Sequence, residues 1–288
     1  MSKLSSVRVC SSNHASMQAT LCGPLRFEGI GLHSGAHSAV EIRPAGADEG
    51  IFFRLGATRV PAKVDYVIDT SRATVLGFEG ATVSTTEHLL SALFAAGVSN
   101  AEILVDGPEI PARDGSSAEF ADAIARCGLQ AQARPRNIME IPTPVCVRSD
   151  ERMIAAFPAA NFRVRFVADF AAPIGTQYFD GEIDATTYRA EIAGARTFAY
   201  LHEIEALWAR GLGRGGSLEN ALVFAADGPM QELRWPDEPV RHKVLDLIGD
   251  LALLGAWPQC EIVAIKSGHE LHASMVRALS AHVRIPSV

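Results

Sequence analysis

The sequence has no pair of cysteines at CxxC spacing, and its five cysteines are an odd number spread along the chain (Cys10, Cys22, Cys127, Cys146 and Cys260). The missing pair excludes the usual thiolate zinc sites, and the odd, scattered set does not indicate a disulfide framework. Reduced cysteines are typical of the cytoplasm, so we expect a cytoplasmic protein. Any metal in it would have to be bound by histidine and carboxylate.

Long apolar runs and an excess of positive charge are also missing. The most apolar stretches, such as LLSALFAAGV, are too short to span a membrane, and the N-terminus has no apolar signal segment. The formal charge of −7 argues against nucleic acid as a partner. Residues 1–17 are Ser-rich and predict a disordered tail, with Met17 as an alternative start.

The rest of the chain is long enough for two domains. Residues 18–129 predict an N-terminal domain of short strands and two helices, one of which follows Ser84 or Thr85 as its N-cap. Residues 138–288 repeat this organisation after a polar linker at 130–137. Each half is therefore expected to be α+β, a mostly antiparallel sheet with about two helices on one face. Packing the helical layers together in the middle leaves a cleft at the interface.

The segment VRHKVLDLIGD (240–250) predicts a helix with a well-packed apolar surface and one polar stripe. His242, Asp246 and Asp250 recur at i, i+4 and i+8, so they lie one above the other on a single face. A histidine and a carboxylate one turn apart can converge on a metal. On this helix alone, a solvated face with an ordinary Asp/His pair is an equal alternative.

Glu87 and His88 lie in the first turns of the helix predicted from STTEHLLSALFAAG. No second histidine follows at HExxH spacing, so a thermolysin-type site is excluded. A capping glutamate beside a structural histidine is the simpler alternative for this pair by itself. Together with His242 and Asp246, however, His88 completes two histidines and one aspartate with an open position, the pattern of a catalytic zinc site.

Three further segments offer polar groups without a decisive pattern. GIGLHSG contains His33 in a glycine-flanked turn without phosphate-loop spacing, which favours a tight hairpin with an exposed histidine. In KSGH, His269 follows a predicted strand and can either reach a cleft or lie in a surface loop. Thr197 in ARTF offers a hydroxyl at a helix end, and GGS by itself is a turn.

Taken together, these motifs resemble the UDP-3-O-acyl-N-acetylglucosamine deacetylases, the zinc amidases of lipid A synthesis. The resemblance covers roughly residues 20–279 and combines TxEHLLSAL, HKxLDxIGD and SGH, a set that is highly specific. The matching segments, in family order, are GIGLHSG, DTSRATVLG, STTEHLLSAL, EIPARDGSS, ARTF, GGSLENALV, VRHKVLDLIGD and KSGH.

The resemblance implies two similar α+β domains with their helices between the sheets, and it implies a role for each matching residue. The zinc ligands would be His88, His242 and Asp246; the general base Glu87; the cationic histidine His269, paired with Asp250; the oxyanion-holding hydroxyl Thr197; and the substrate-binding residues Lys243 and Phe198. It also implies that an insert of the second domain forms a hydrophobic passage for the acyl chain, expected here around Ala171–Phe179.

The chemistry implied by the resemblance is hydrolysis of an N-acetyl amide. Zinc with an open position would polarise the carbonyl and lower the pKa of a water ligand, and Glu87 would take the proton of the attacking water. The oxyanion would be held by zinc, Thr197 and protonated His269, which Asp250 keeps cationic. Either Glu87 or His269 could protonate the leaving amine. Fe2+ is an alternative metal, because two histidines and one aspartate also suit iron.

Four residues depart from the family pattern. Arg113 and Pro239 stand where a hydrophobic residue and a phenylalanine are usual, while Glu270 and His272 replace the usual alanine and asparagine after SGH. The last two adjoin the expected catalytic histidine, so they bear on the exact substrate.

The sequence therefore predicts a zinc-dependent deacetylase that converts UDP-3-O-acyl-N-acetylglucosamine to UDP-3-O-acyl-glucosamine and acetate, the committed step of lipid A biosynthesis. The expected partner is this UDP-linked acylated amino sugar, with no nucleic acid, no integral membrane segment and a monomeric state. The alternatives are a paralogue that deacetylates a different acylated amino sugar and a non-catalytic, zinc-stabilised binding or regulatory protein.

Overall fold

The computed structural model describes residues 17–284 of the 288-residue chain. The predicted disordered tail lies outside the described residues except for Met17, which is the first residue of a strand rather than part of a tail. Within the described residues, the elements follow the order predicted for two α+β halves.

The first half is built on a mostly antiparallel sheet. Its strands within residues 17–135 are β1 (Met17–Leu21), β2 (Leu25–Ile30), β3 (His37–Pro44), β4 (Ile51–Leu55), β5 (Thr58–Pro61), β6 (Val67–Asp69), β7 (Val75–Phe78), β8 (Ala81–Val83), β9 (Ala101–Asp106) and β10 (Leu129–Pro135). The main sheet has the order β2–β3–β9–β4–β5, in which β4 and β9 are parallel, and β6–β7–β8 form a smaller sheet. In β3, Val40 and Ile42 are buried while Glu41 and Arg43 are not, the period-two pattern of a sheet with one covered face.

The helices of the first half are α1 (Glu87–Ala96) and α2 (Ala118–Cys127). Thr86 occupies the N-cap position of α1, so the prediction of Ser84 or Thr85 is wrong. Thr85 instead adopts a left-handed φ of 57°, and its hydroxyl donates a hydrogen bond to Glu109 at 2.7 Å. The chain therefore turns sharply just before α1, and this turn brings the Glu109 carboxylate close to the start of the helix.

The segment 130–137, predicted as a linker, is mostly part of a strand. β10 pairs antiparallel with β1, for example between Leu21 and Leu129 and between Ala19 and Ala131. The chain therefore passes from the first half to the second through a hydrogen-bonded strand. The domain limits of 18–129 and 138–288 stay a prediction.

The second half is built around its longest strand. Its strands within residues 138–284 are β11 (Ile138–Glu140), β12 (Val145–Ser149), β13 (Arg152–Pro158), β14 (Arg163–Asp169), β15 (Thr176–Glu182), β16 (Phe198–Tyr200), β17 (Leu222–Ala225), β18 (Gly228–Pro229), β19 (Trp257–Ile265) and β20 (Val283–Arg284). β19 pairs antiparallel with β13 on one edge and parallel with β14 and β11 on the other. β16, β17 and β18 form a separate small sheet.

The helices of the second half include the long helix that the sequence predicts at 240–250. They are α3 (Ala185–Thr187, continued by a π turn at Tyr188–Ile192), α4 (Ile204–Ala209), α5 (Glu238–Leu251) and α6 (His269–Ser280). α5 begins two residues before the predicted start, with Pro239 in its first turn, where proline lacks only an amide that the helix would not use.

α1 and α5 pack against each other at the centre of the molecule, as the α+β sandwich prediction requires. Within α5, only Arg241 and Lys243 are not buried. A helix covered on all sides is expected to be apolar all round, so the buried His242, Asp246 and Asp250 need polar partners. Those partners lie in the candidate site.

Membrane-spanning helices and disulfides, neither of which the sequence indicates, can be looked for among the described residues. No helix within residues 17–284 is long and apolar enough to cross a membrane. Cys22, Cys127, Cys146 and Cys260 are free thiols, so no disulfide joins the cysteines of the described range, and Cys10 lies outside it.

Candidate active site

The first turn of α1 and the middle of α5 meet where the two halves touch. Glu87 and His88 begin α1, His242 and Asp246 lie one turn apart on α5, and none of the four is more than 5% exposed. The approach depends on Gly249, because a Cβ there would lie 2.1 Å from the backbone carbonyl oxygen of Glu87. Glycine at this position therefore lets α1 and α5 touch.

His88, His242 and Asp246 form a cluster that can hold a metal ion. Each offers one ligand atom, and the three atoms lie within 4.8 Å of one another. The Nε2 atoms of His88 and His242 are 3.8 and 3.4 Å from Asp246 Oδ1. The Nδ1–H of His242 donates to the carbonyl of Ala195 at 3.0 Å, which fixes the ring with Nε2 toward the cluster.

The protonation states of this cluster suit a divalent metal. Burial lowers the pKa of His88 to about 3 and also lowers the pKa of His242. Burial alone would raise the pKa of Asp246, but the surrounding histidines and Lys243 hold it well below its usual range. Neutral imidazoles and an ionised carboxylate are the forms that ligate a metal.

Glu87 lies beside this cluster in an environment that favours its protonated form. Its Oε2 accepts a hydrogen bond from the backbone amide of Thr74 at 3.0 Å. Burial raises the pKa of Glu87 to about 8, and nearby Asp246 also raises it, while His269 acts in the opposite direction. A carboxylate with a pKa near neutrality is suited to exchange protons with a substrate or a water molecule.

His269, the first residue of α6, forms a buried ion pair with Asp250 of α5. Its Nδ1 lies 2.8 Å from Asp250 Oδ2, and its Nε2 points toward the cluster, 3.9 Å from Asp246 Oδ2. Burial alone would lower the pKa of His269, but Asp250, Asp246 and Glu87 raise it to about 9. This pKa favours a cationic His269 at neutral pH, and Asp250, the partner expected for this histidine, lies within hydrogen-bond distance of it.

Lys243, expected from the resemblance to bind substrate, lies against the cluster. Its Nζ donates to Asp246 Oδ2 at 2.7 Å, because its flexible stem lets the ammonium fold back over one helical turn. The ammonium also lies 5.8 Å from the centre of the Phe198 ring.

These side chains line a cavity of about 660 Å³. Eight of its lining residues were predicted as site residues from the sequence, namely Glu87, His88, Thr197, Phe198, His242, Lys243, Asp246 and His269. Asp250 lies behind His269 instead. The cavity also receives the cationic side chains of Arg72 and Arg152, which pair with Glu203 at 3.5 Å and Glu270 at 3.2 Å.

One wall of the cavity is apolar and comes from a segment that the sequence does not predict for this purpose. Phe198, Ile204, Leu207, Trp208 and Val223 of β16, α4 and β17 line it. Trp208 is 54% exposed at the outer end.

The location of the acyl passage at Ala171–Phe179 stays a prediction. None of those residues lines this cavity; they form the turn after β14 and the first part of β15, which pairs with β14 along its length.

His33 contributes to the cavity as well. The backbone amides of His33 and Ser34 are held by the buried Glu109 carboxylate at 2.9 and 2.8 Å, and Nδ1 of His33 accepts a hydrogen bond from Gly213 at 3.3 Å. The prediction of an exposed histidine in a tight hairpin is therefore wrong, because the turn is folded against the second half of the chain.

Comparison with known proteins assigns the site to a family. Residues 18–281 match the LpxC family, described as UDP-3-O-acyl N-acetylglycosamine deacetylase. The chain belongs to this family. The match covers nearly all of the described residues, so the resemblance read from the motifs is confirmed.

Curated relatives in the LpxC family carry the same description. The UDP-3-O-acyl-N-acetylglucosamine deacetylase of Phenylobacterium zucineum is 45% identical, over 92% of this chain and 93% of its own length. Those of Syntrophotalea carbinolica and Nostoc sp. are 42% and 43% identical over 92% of this chain, and the matches span 88% and 98% of the relatives. The similarity therefore extends along whole proteins and not only along the motifs.

Two residues of the LpxC-family site were not recognised from the sequence. Thr74 lies in an irregular segment, and its hydroxyl donates to Asp250 Oδ1 at 2.5 Å across 176 positions of the chain. His272 was noted as a departure only, but its Nδ1 lies 2.8 Å from Asp250 Oδ2. No periodicity links such distant residues. The departure at 272 from the family's asparagine was the only signal that could have identified the histidine.

The other three departures lie at different distances from the cluster. Arg113 bonds Glu119 at 2.7 Å outside the cavity, and Pro239 is buried in the first turn of α5. Glu270 lines the cavity through its pair with Arg152. Of these three, only Glu270 is in a position to contact a substrate.

Proposed function

We propose that the chain hydrolyses the N-acetyl amide of UDP-3-O-acyl-N-acetylglucosamine, using a divalent metal held by His88, His242 and Asp246. The products are UDP-3-O-acyl-glucosamine and acetate, a step of lipid A biosynthesis. The observation that carries the proposal is the convergence of this cluster with Glu87 and His269 in one cavity, in a chain that belongs to the LpxC deacetylase family.

The donor set fits zinc, since two neutral imidazoles and one carboxylate with open space beside them are typical of catalytic zinc sites. The same set also accommodates Fe2+, so zinc is the first choice and iron the second. A bound divalent cation supplies Lewis acidity at the acetyl carbonyl and a field that favours the ionised form of Glu87.

Glu87 would act as the general base. Its carboxylate is held by the amide of Thr74 and faces the space between Asp246 and His269, whose ligand atoms lie within 4.8 Å of it. Once ionised, it can take a proton from the attacking water. Protonated, it can return that proton to the leaving amine, a role that His269 could fill as well.

His269 and Thr197 would stabilise the oxyanion of the tetrahedral intermediate. The Nδ1–H of His269 is used by Asp250, so the Nε2–H is the donor that faces the cavity. A cationic donor in a buried site stabilises developing negative charge strongly, and the hydroxyl of Thr197 adds a second donor from the cavity wall.

The lining of the cavity matches the two ends of the proposed substrate. Arg72, Arg152 and Lys243 are cations that can meet the diphosphate of a UDP-sugar. The apolar wall formed by Leu207, Trp208 and its neighbours gives the 3-O-acyl chain a surface on which to be buried.

Release of acetate from UDP-3-O-acyl-N-acetylglucosamine by the purified protein tests this proposal. We expect Glu87→Ala to slow release by about 10²- to 10⁴-fold, the usual worth of a general base. The matched control is Glu28→Ala, at an exposed position of β2. Unchanged release by Glu87→Ala would refute the assignment.

Two further results would support other functions. Faster turnover of a different acylated amino sugar would support a paralogue, to which Glu270 in the cavity would contribute. Bound metal without hydrolysis of any such substrate would support a binding protein.

A further inference from the structure

His272 lies one helical turn after His269 on α6, and both rings face Asp250 of α5. The side chain of His272 is fully buried, so each of its ring nitrogens needs a partner within the protein. Nδ1 lies 2.8 Å from Asp250 Oδ2, and Nε2 lies 3.0 Å from the hydroxyl of Ser267. Both nitrogens are therefore satisfied without contact with the cavity.

The hydrogen bonds around the ring select one form of His272. An ionised carboxylate only accepts, so Nδ1 must carry a proton and donate it to Asp250. In a neutral imidazole Nε2 is then an acceptor, and the Ser267 hydroxyl can rotate to donate to it. Burial favours this neutral form, since it lowers the pKa of His272. His272 thus gives Asp250 a hydrogen bond without adding a second positive charge beside His269.

Asp250 is fixed from three directions. Thr74 donates to Oδ1 at 2.5 Å, while His269 and His272 both donate to Oδ2 at 2.8 Å. Removing the His272 donor would leave the carboxylate with one donor on each oxygen, Thr74 and His269, and so hold it less firmly against rotation about its Cβ–Cγ bond. Within residues 17–284 the side-chain hydrogen bonds of His269 go to this carboxylate and to Thr74, so such rotation would shift its Nε2 in the cavity.

We propose that His272 is a positioning residue for the deacetylation reaction, which holds Asp250, and through it His269, in the reactive orientation. The inference rests on the proposed function. Ser267, His272, Asp250 and His269 are thus joined by consecutive buried hydrogen bonds, and of these four residues only His269 lines the cavity.

The kinetic test compares His272→Leu with His272→Asn. Leucine fills most of the volume but donates no hydrogen bond, and we expect kcat to fall about 10- to 100-fold, the usual effect of losing a supporting hydrogen bond, with KM changed less than about twofold. Asparagine has an amide that can donate, so we expect it to restore most of kcat. Unchanged kcat in His272→Leu, or equal losses in both variants, would overturn the proposal.

A control separates this effect from loss of packing in α6. Val276 is fully buried one turn further along the helix, so Val276→Ala creates a small cavity without touching Asp250. We expect it to lower the melting temperature but to leave kcat near the wild-type value. If Val276→Ala and His272→Leu lose the same fraction of kcat, His272 serves packing and the proposal fails.

Two measurements on the metal-free and metal-loaded protein do not depend on turnover. Long-range 1H–15N spectra of the metal-free protein should show His272 as the neutral Nδ1–H tautomer at pH 7; an Nε2–H tautomer or a cation would overturn the proposal. Asp250, His269 and His272 are also close enough to bind a metal. We expect one metal per chain in wild type and in His272→Leu. Two metals in wild type and one in the variant would make His272 a ligand and refute its positioning role.

Discussion

Replacing Gly249 with alanine tests whether the contact between α1 and α5 sets the geometry of the site. A Cβ there would lie 2.1 Å from the carbonyl oxygen of Glu87, whereas real Cβ contacts essentially never fall below 3.0 Å. The two helices must therefore separate by about 0.9 Å, the difference between these distances. Because Glu87 begins α1, this displacement moves Glu87 and His88 away from His242 and Asp246 on α5.

Both the stability and the rate should respond. Overpacking a buried contact costs about 1–3 kcal/mol, which lowers the melting temperature of a chain of this size by several degrees. Misplacing reacting groups by about 1 Å costs about 100-fold in rate. We therefore expect Gly249→Ala to melt a few degrees earlier by calorimetry. Its kcat for acetate release should be about 100-fold lower at temperatures where it stays folded.

Gly23→Ala is the matched control, because a Cβ at Gly23 meets nothing within 4 Å. It should keep the wild-type melting temperature and kcat. Wild-type values in Gly249→Ala would refute the reasoning, since the two helices would then not control the distance between Glu87 and the α5 cluster.

Three further predictions concern charge and substrate. The pKa of His269 is raised to about 9, so its pair with Asp250 stabilises the fold fully below about pH 6.5 and less as pH rises through about 9. Asp250→Asn removes the charge that raises this pKa, so the alkaline limb of the kcat/KM profile should move at least about one unit lower. An unmoved limb would contradict the pairing. Lys243→Ala should raise KM about tenfold in steady-state assays, the contribution of one charge-assisted contact to the substrate. The amount of bound metal should not change. Loss of metal would instead mean that Lys243 acts only by holding Asp246. Leu207→Ser should raise KM about tenfold for a long 3-O-acyl chain but not for a 3-O-acetyl substrate. Equal increases for both would argue against an acyl-binding wall.

The sequence was sufficient to predict the parts of the site that follow from helical spacing. The polar stripe of α5 follows from the i, i+4 and i+8 positions of His242, Asp246 and Asp250, and Glu87 and His88 stand where a helix was expected. The α+β class also follows from the hydrophobic pattern, because in strands such as β3 the alternation of apolar and polar residues in the sequence matches the alternation of buried and exposed side chains.

The parts that could not be predicted depend on long-range packing. Thr74 contributes through a hydroxyl in an irregular segment that meets Asp250 only after the two halves dock. Residues 171–179 were predicted to form the acyl passage, yet they lie in the turn after β14 and in the paired strand β15, and the apolar wall of the cavity comes from 198–223. His33 was expected in an exposed turn, but it lines the cavity because the fold brings Gly213 against it.

Turnover by metal-depleted protein, measured before and after addition of one equivalent of Zn2+, tests the central claim most directly. We predict that acetate release from UDP-3-O-acyl-N-acetylglucosamine is lost on depletion and is restored by one equivalent in wild type but not in His242→Ala. Full release by the metal-free protein, or equal restoration in His242→Ala, would contradict the claim that His88, His242 and Asp246 hold a catalytic metal.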